Sequence, residues 1–443
     1  MSTESDSDAT AREQRPRVAY NRDGILIVAR PAILQSADRG IRQALEAGRW
    51  SLTNADAILL VPILLLSFML RFDGLRSRGL LYWDEAKFSL EGVRLLSLLP
   101  GALGVHAGTL AGKTIGTAKP THALLIAMSY GLFGIHDYAP LYLDAAASAL
   151  EVLLLYLIGR RLFSARIGVL GASLLAVSAY DITYARSALS ESDANLLFLL
   201  GLLVWSTGWH HLDRESWTSR NPLWQSRLPA ACIMGAGFTT NYRLIVYIAI
   251  LVAIDVFALY RGSGSMVAVR ALVLWGLGFA VFPLCWQIIG VVASGHGTVL
   301  FRSEITRRPT SYFSEALYQL HGGKQSVMRF EPGLYIQWYV TRQGWPALAL
   351  LALGIVYAMT YRTIRWILPA LLVLLPYALY TFAPFVVPRN LDTAVPFSCL
   401  LAAAALVVVV DRVQHVRLKT VIVGLLALAL VALGAQISTE LTA

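Results

Sequence analysis

The sequence predicts an all-α polytopic membrane protein, and three observations carry that prediction. Of its 443 residues, 56% are hydrophobic and only 14% are charged. Mean hydropathy is +0.59, too apolar for a soluble globular chain of ordinary composition. Apolar segments long enough for a bilayer core, which takes roughly 20 residues per helix, recur along most of the chain. The net charge of +10 is read as topology-setting and as an attraction to anionic headgroups. It makes the lipid bilayer the expected partner and excludes nucleic acid. Cys232, Cys285 and Cys399 lie scattered in apolar runs, so they read as packing residues and give no disulfide framework.

Residues 1–54 form a polar tail that is expected to be cytosolic, with a surface helix near 37–50 ending at Trp50. Ile25–Ala29 is too short to serve as the apolar core of a signal peptide. A membrane domain is expected over 55–437, with a short tail at 438–443. Eleven spans are expected, near 55–70, 138–158, 167–182, 193–209, 228–241, 243–260, 269–293, 345–361, 364–384, 391–411 and 418–437. Thr121–Ile135 is apolar, but at about 1.5 Å per residue it barely reaches across the hydrocarbon, so it reads as a re-entrant or surface helix. With that assignment the basic turns at 159–166, 261–270, 362–365 and 411–419 fall on the cytosolic side, as the positive-inside rule asks. The outer face then receives a long first loop (71–135), the corner Tyr184–Asp193, the turn Asn241–Arg243, a second long loop (294–344) and the turn Pro388–Asp392.

Those outer pieces hold the polar residues on which chemistry could run. Asp84 and Glu85 are adjacent carboxylates flanked by Tyr82, Trp83 and Phe88. On a helix start they point in different directions, so one can face a pocket while the other is held structurally. A partly shielded carboxylate suits general-base work, whereas acids in a first turn also simply stabilise the helix dipole. Spacing alone leaves both open. Lys119, just before His122, could pair with a lipid phosphate or merely snorkel. Arg186, Glu191 and Asp193 lie at a span boundary with Ser190 and Ser192, where they could form an acidic wall or cap helices. Asp144 and Glu151 are seven residues apart on one face of a span. They are expected to pair with an arginine such as Arg243 or Arg389. Arg389 is suited to a phosphate fork, and His321 begins a His-Gly-Gly turn that could close over a substrate. The adjacent His210 and His211 read as solvated, and no metal-ligand spacing or glycine-rich nucleotide loop stands out, so no cofactor is expected and a divalent metal is left open without being indicated.

Five of these elements, taken in order, resemble the GT-C membrane glycosyltransferases of the protein O-mannosyltransferase and aminoarabinose transferase group. They are Asp84-Glu85 after the first span, Lys119-Pro120 before a short helix, and Ile158-Gly159-Arg160-Arg161-Leu162-Phe163 closing a span. Tyr184, Arg186 and Glu191 follow, and then Pro388-Arg389-Asn390-Leu391 with Pro396. The chain departs from that pattern at Thr121, Asn241-Tyr242, Asp144 and Asn390. The resemblance covers roughly 55–410 and implies a GT-C fold in a bacterial or archaeal plasma membrane, with the site facing away from the cytoplasm. It implies inverting sugar transfer from a polyprenyl-phosphate donor to a hydroxyl of a lipid, glycan or protein. Asp84 would be the general base, with Glu85 beside it. Lys119, Arg243 and Arg389 would hold the donor phosphate. Tyr82, Trp83, His122, Arg186, Glu191, Asp193 and His321 would bind substrate. A flippase or transporter of lipid-linked sugars is the competing function; it would need charges strung along a path through the bundle. An inactive scaffold is a third reading.

Overall fold

The computed structural model describes residues 54–97, 119–209, 223–295, 299–302, 308–320, 330–361, 363–382 and 387–412, the strands Val18–Tyr20 and Leu26–Val28, and the single positions Ala429 and Gln436. Residues 1–51 form one compact unit, in which β1 (Val18–Tyr20) pairs antiparallel with β2 (Leu26–Val28). The second unit, 52–443, is helical wherever its regular structure is described. The expected surface helix at 37–50, His210, His211, His321 and the expected span 418–437 lie outside the described residues.

The helices of the second unit are α1 (Asn54–Phe72), α2 (Leu75–Arg78), α3 (Trp83–Ser97), α4 (Pro120–Phe133), α5 (Tyr138–Leu162), α6 (Ala165–Ala176), α7 (Ala179–Ala185), α8 (Glu191–Ser206), α9 (Leu223–Thr240), α10 (Ile245–Ser263), α11 (Ser265–Gly295), α12 (Tyr312–Leu320), α13 (Pro332–Tyr361), α14 (Ile364–Thr381) and α15 (Val395–Arg412). Neighbours in sequence pack as neighbours in space: α5 on α6 and α8, α8 on α9, α9 on α11, and α13 on α15. The long-range closure is α15 against α6. α15 is rich in alanine and buried from Val395 to Ala405, so it has no lipid-facing side there. A helix apolar all round belongs in a bundle interior. α11 is the opposite case: Leu272, Leu277, Leu284, Ile288 and Val291 are exposed, an apolar face that needs lipid to cover it.

Charge inside the bundle is paired where it holds helices together. Arg227 is fully buried and its Nη2 donates to Asp255 Oδ1 at 3.0 Å. Trp205 and Trp275 donate their indole N–H to the same carboxylate at 2.8 and 2.9 Å. One carboxylate thus joins α8, α9, α10 and α11. At the end of α1, Arg71 does the same job. It bonds Ser148 at 2.6 Å, the Ala176 carbonyl at 2.9 Å and the Asp181 carboxylate. Each pairing removes the cost of a bare charge in a medium without water.

Among the described residues, seven stretches are long and apolar enough to cross a membrane, and an eighth is the bent pair α6 and α7, which meet at 60°. The chain is a polytopic membrane protein. The expected spans 193–209 and 228–241 fall on α8 and α9, which have 16 and 18 residues and do not reach that measure of length and apolarity. The expected count of eleven is therefore not reached among the described residues. α4 has 14 residues, about 21 Å of helix, and is too short to span, as its sequence implies. The second long loop needs correcting. It holds α12, and from Pro332 onward it is already helical. The helix kinks at Gly344, where φ is 81°, because only glycine takes that conformation cheaply and Pro346 follows.

Close helix packing gives a direct test. A methyl group at Gly235 on α9 would sit 2.4 Å from the Phe279 carbonyl oxygen on α11, whereas one at Gly276 meets nothing within 4 Å. Gly235→Ala is expected to destabilise the fold by about 1–3 kcal/mol, and Gly276→Ala to leave it unchanged or slightly firmer. Thermal unfolding of the two variants in detergent checks the difference.

Candidate active site

The turn before α3 separates the two adjacent carboxylates. Glu85 is fully buried. Its Oε2 accepts from the backbone N–H of Leu81 and Tyr82 at 2.6 and 2.9 Å, which caps the first turn of α3. Its Oε1 accepts both Nη atoms of Arg78 at 3.1 Å and the Ala188 N–H at 3.3 Å. Neighbouring residues on a helix point about 100° apart, so pinning Glu85 inward turns Asp84 outward. Asp84 is 38% exposed and accepts from Arg389 Nη1 at 2.9 Å. Both Glu85 oxygens are thus engaged in a structural clasp, and Asp84 is the carboxylate of the pair that faces outward. Tyr82 and Trp83, 51% and 84% exposed, stand at the rim.

Two further cations belong to this neighbourhood: Lys119 acts on Asp84, and Arg243 acts on Lys119. Lys119, the residue before α4, is buried; its Nζ donates to Ser190 Oγ at 2.7 Å and lies 4.8 Å from the Phe88 ring centre. Ser190 holds φ at 71°, the one positive φ outside glycine among the described residues. Such backbone costs about 1–2 kcal/mol. The hydroxyl that the sequence offers as a helix cap makes no cap bond here; it meets Lys119 instead. Arg243 follows a short turn in which its N–H donates to Asn241 Oδ1 at 3.2 Å, and its Nη1 lies 3.3 Å from Glu191 Oε1. The Tyr380 hydroxyl fixes that turn by donating to the Arg243 carbonyl at 3.0 Å.

Burial brings the Lys119 ammonium down to about 7, with Glu191 opposing the shift and Arg243 and Arg389 adding to it. Burial pushes the Asp84 carboxyl up, but the hydrogen bond and charge of Arg389, with Lys119 and Lys87, outweigh it and hold it below the usual carboxylate value. Lys119, Arg243 and Arg389 are thus close enough to feel one another, and acids sit among them.

Not every expected residue joins this group. Arg186 donates to the carbonyls of Leu70 and Asp73, latching the end of α7 to the end of α1. His122 is fully buried, with Nδ1 2.8 Å from Asp193 Oδ2. The pairing expected for Asp144 and Glu151 with Arg243 or Arg389 does not form. Those arginines face Glu191 and Asp84, and the two carboxylates on α5 are buried without a side-chain hydrogen-bond partner. The residues that sequence reading missed are Arg78, Ser190 as a lysine partner, and the set around Asn390. There Asn390 donates to the Tyr335 hydroxyl at 3.0 Å, and Asn195 donates to Asp392 at 2.7 Å. Arg78 precedes Glu85 by seven residues, and no sequence period marks such a contact.

Beside this polar group lies an apolar groove of about 810 Å³ of empty space, lined by Tyr180, Tyr335, Tyr339, Tyr377, Leu391 and Val395 among others. Its wall includes the same 388–394 turn that carries Arg389, and the Tyr180 hydroxyl donates to the Pro388 carbonyl. The site is a cluster of positive charge with a partly exposed carboxylate, beside an apolar groove that shares the 388–394 turn.

Known proteins match this architecture at low identity. A profile of the family described as dolichyl-phosphate-mannose-protein mannosyltransferase matches residues 117–286, less than half of the chain. No curated protein matches. Among solved structures, ArnT from Cupriavidus metallidurans in the apo state has a TM-score of 0.55 at 14% identity, covering 82% of this chain and 61% of its own. The same protein bound to undecaprenyl phosphate scores 0.54 at 14% identity, with the same coverage. The archaeal oligosaccharyltransferase AglB from Archaeoglobus fulgidus, in complex with an inhibitory peptide and a dolichol-phosphate, scores 0.53 at 14% identity, covering 88% of this chain and 56% of its own. The chain therefore spans about three fifths of the length of the structures it matches. The likeness shows the fold, which is the GT-C membrane fold.

The separation of roles within the acidic pair is measurable. Glu85→Ala removes a buried clasp and is expected to cost about 3–5 kcal/mol. Asp84→Ala removes a half-exposed pair and is expected to cost under about 1 kcal/mol. Denaturant or thermal unfolding in detergent reads both.

Proposed function

We propose that this protein is a glycosyltransferase that moves a sugar, a hexose or a pentose, from a polyprenyl-phosphate donor to a hydroxyl acceptor at the outer face of the membrane. The observation that carries the reading is the convergence of Lys119, Arg243 and Arg389 around Asp84, beside the apolar groove. The lipid chain lies along the groove, where its CH2 groups leave water at about 0.8 kcal/mol each. The donor phosphate meets the three cations. The solved complexes of ArnT with undecaprenyl phosphate and of AglB with a dolichol-phosphate support a lipid phosphate as the ligand class.

The chemistry then needs two things. Asp84 accepts the proton of the acceptor O–H as that oxygen attacks the anomeric carbon. The bond from that carbon to the phosphate oxygen breaks on the opposite face, its electron pair leaves on the phosphate, and the configuration inverts. The three cations stabilise the charge that grows on the leaving group, usually the largest catalytic contribution. A phosphate so held leaves as an anion, so no acid is required. Arg389 has a double part: it keeps Asp84 ionised in the free protein and turns to the phosphate when the donor arrives. Glu191 aligns Arg243, while Tyr82 and Trp83 offer faces for the sugar or acceptor. A transporter of lipid-linked sugars would want charges open along a path, whereas Arg71 and Arg227, deep in the bundle, are each closed onto a carboxylate.

Asp84→Asn is expected to lower the rate of sugar transfer from a polyprenyl-phosphate sugar by roughly 10²- to 10⁴-fold, with donor binding retained. Transfer at the parent rate sinks the assignment. The pH profile is a second test. Lys119 must be protonated to hold phosphate, and in the free protein it loses its proton near pH 7. The kcat/KM for donor is therefore expected to fall as pH rises through about 7. In Lys119→Arg, which stays charged, that alkaline limb is expected to vanish.

A further inference from the structure

α5 carries Asp144 into the bundle beside His122 of α4 and Asp193 of α8. Each of the three offers one ligand atom, and these atoms lie within 4.8 Å of one another. All are buried, with exposures of 0%, 1% and 2% for His122, Asp144 and Asp193. His122 Nδ1 sits 2.8 Å from Asp193 Oδ2, close enough for both atoms to ligate one ion. Neither oxygen of Asp144 meets a side-chain donor, and the Leu189 backbone is the one hydrogen-bonding group against it. No basic side chain described at the site is paired to them: Arg243 goes to Glu191, Arg389 to Asp84, and Lys119 donates to Ser190. The other charges that act on Asp144 are those of Asp193, Glu191 and Glu85, all of them negative. Two carboxylates this close and this dry cannot both stay ionised without positive charge between them.

We propose that His122, Asp144 and Asp193 bind one divalent transition-metal ion of the zinc or manganese class. Two carboxylates cancel the charge of the ion, and a neutral imidazole completes a nitrogen–oxygen donor set of the kind that such ions take. The Asp144 carboxylate, buried with no side-chain donor against it, is the second sign of a ligand, since native interiors rarely leave such a group bare. Asp84 is not a member of the cluster, so the ion is a positioning device. It ties α4, α5 and α8 together just behind Lys119 and Glu191, the residues that open the site. The inference does not depend on sugar transfer.

Full-length protein in detergent, stripped with a chelator and reloaded with Co²⁺, tests it. The expected result is about one ion retained per chain after gel filtration, with visible bands of a nitrogen–oxygen ligand field and a raised melting temperature. Asp144→Asn keeps the shape without the charge and is expected to lower the retained cobalt by roughly tenfold or more, while Asp84→Asn retains it in full. Should Asp144→Asn fail to fold, His122→Gln is read the same way. No stoichiometric cobalt in the parent protein, or unchanged retention in these variants, overturns the site and leaves a proton shared among the three residues. Because retention is read without any donor or acceptor, its failure is distinct from a failure of the transferase reading.

Discussion

Glu85 takes up five hydrogen bonds on two oxygens, from the two terminal nitrogens of Arg78 and from the N–H groups of Leu81, Tyr82 and Ala188. A buried carboxylate needs such a set, because in a medium without water each unmet lone pair costs free energy. The set also defines geometry. It starts α3, docks that helix on the segment before α8, and fixes the helix rotation so that Asp84 points away toward Arg389. The outward carboxylate owes its direction to its neighbour, and the remaining site is built around that direction.

The positive side of the site follows the same economy of charge. Lys119, Arg243 and Arg389 would repel one another if left bare, and each has been given a local partner: a serine hydroxyl, Glu191 and Asp84 in turn. These partners are weaker than a phosphate dianion would be, since a charge-assisted bond to phosphate combines several donors on one ion. In the proposed reaction the ligand displaces them, and the freed acids become available to the sugar and the acceptor. The low value at Lys119, near 7, reflects burial of the ammonium, with Arg243 and Arg389 adding to it and Glu191 and Asp84 opposing it.

Much of the architecture is legible in the sequence because the bilayer imposes it. Apolar runs of fixed length announce the long helices, and α4 is recognisable as too short to cross. The span count is less readable. α8 and α9 carry buried polar residues such as Asp193, Asn195 and Arg227, and these dilute the apolar signal. The helical stretch from Pro332 reads as loop because Gln337, Arg342 and Gln343 interrupt it. At the site, residue types in order point to the right neighbourhood, but partner choice does not follow from order. Nothing in the chain says that Glu85 turns inward, that Ser190 abandons capping for Lys119, or that Arg186 binds backbone carbonyls. Those outcomes depend on which donor lies within reach after packing. Asp144 shows the limit from the other side: a charge in a span announces a partner, yet the arginines that sequence offers are already committed elsewhere.

The account rests on the three cations being a phosphate site that competes with Asp84 for Arg389. A structure of the protein with bound polyprenyl phosphate tests this most directly. The account predicts the phosphate within about 3 Å of Lys119, Arg243 and Arg389, the lipid chain along the groove of Tyr335 and Tyr339, and the contact between Arg389 and Asp84 opened. A phosphate bound away from these residues, with that contact intact, would contradict it.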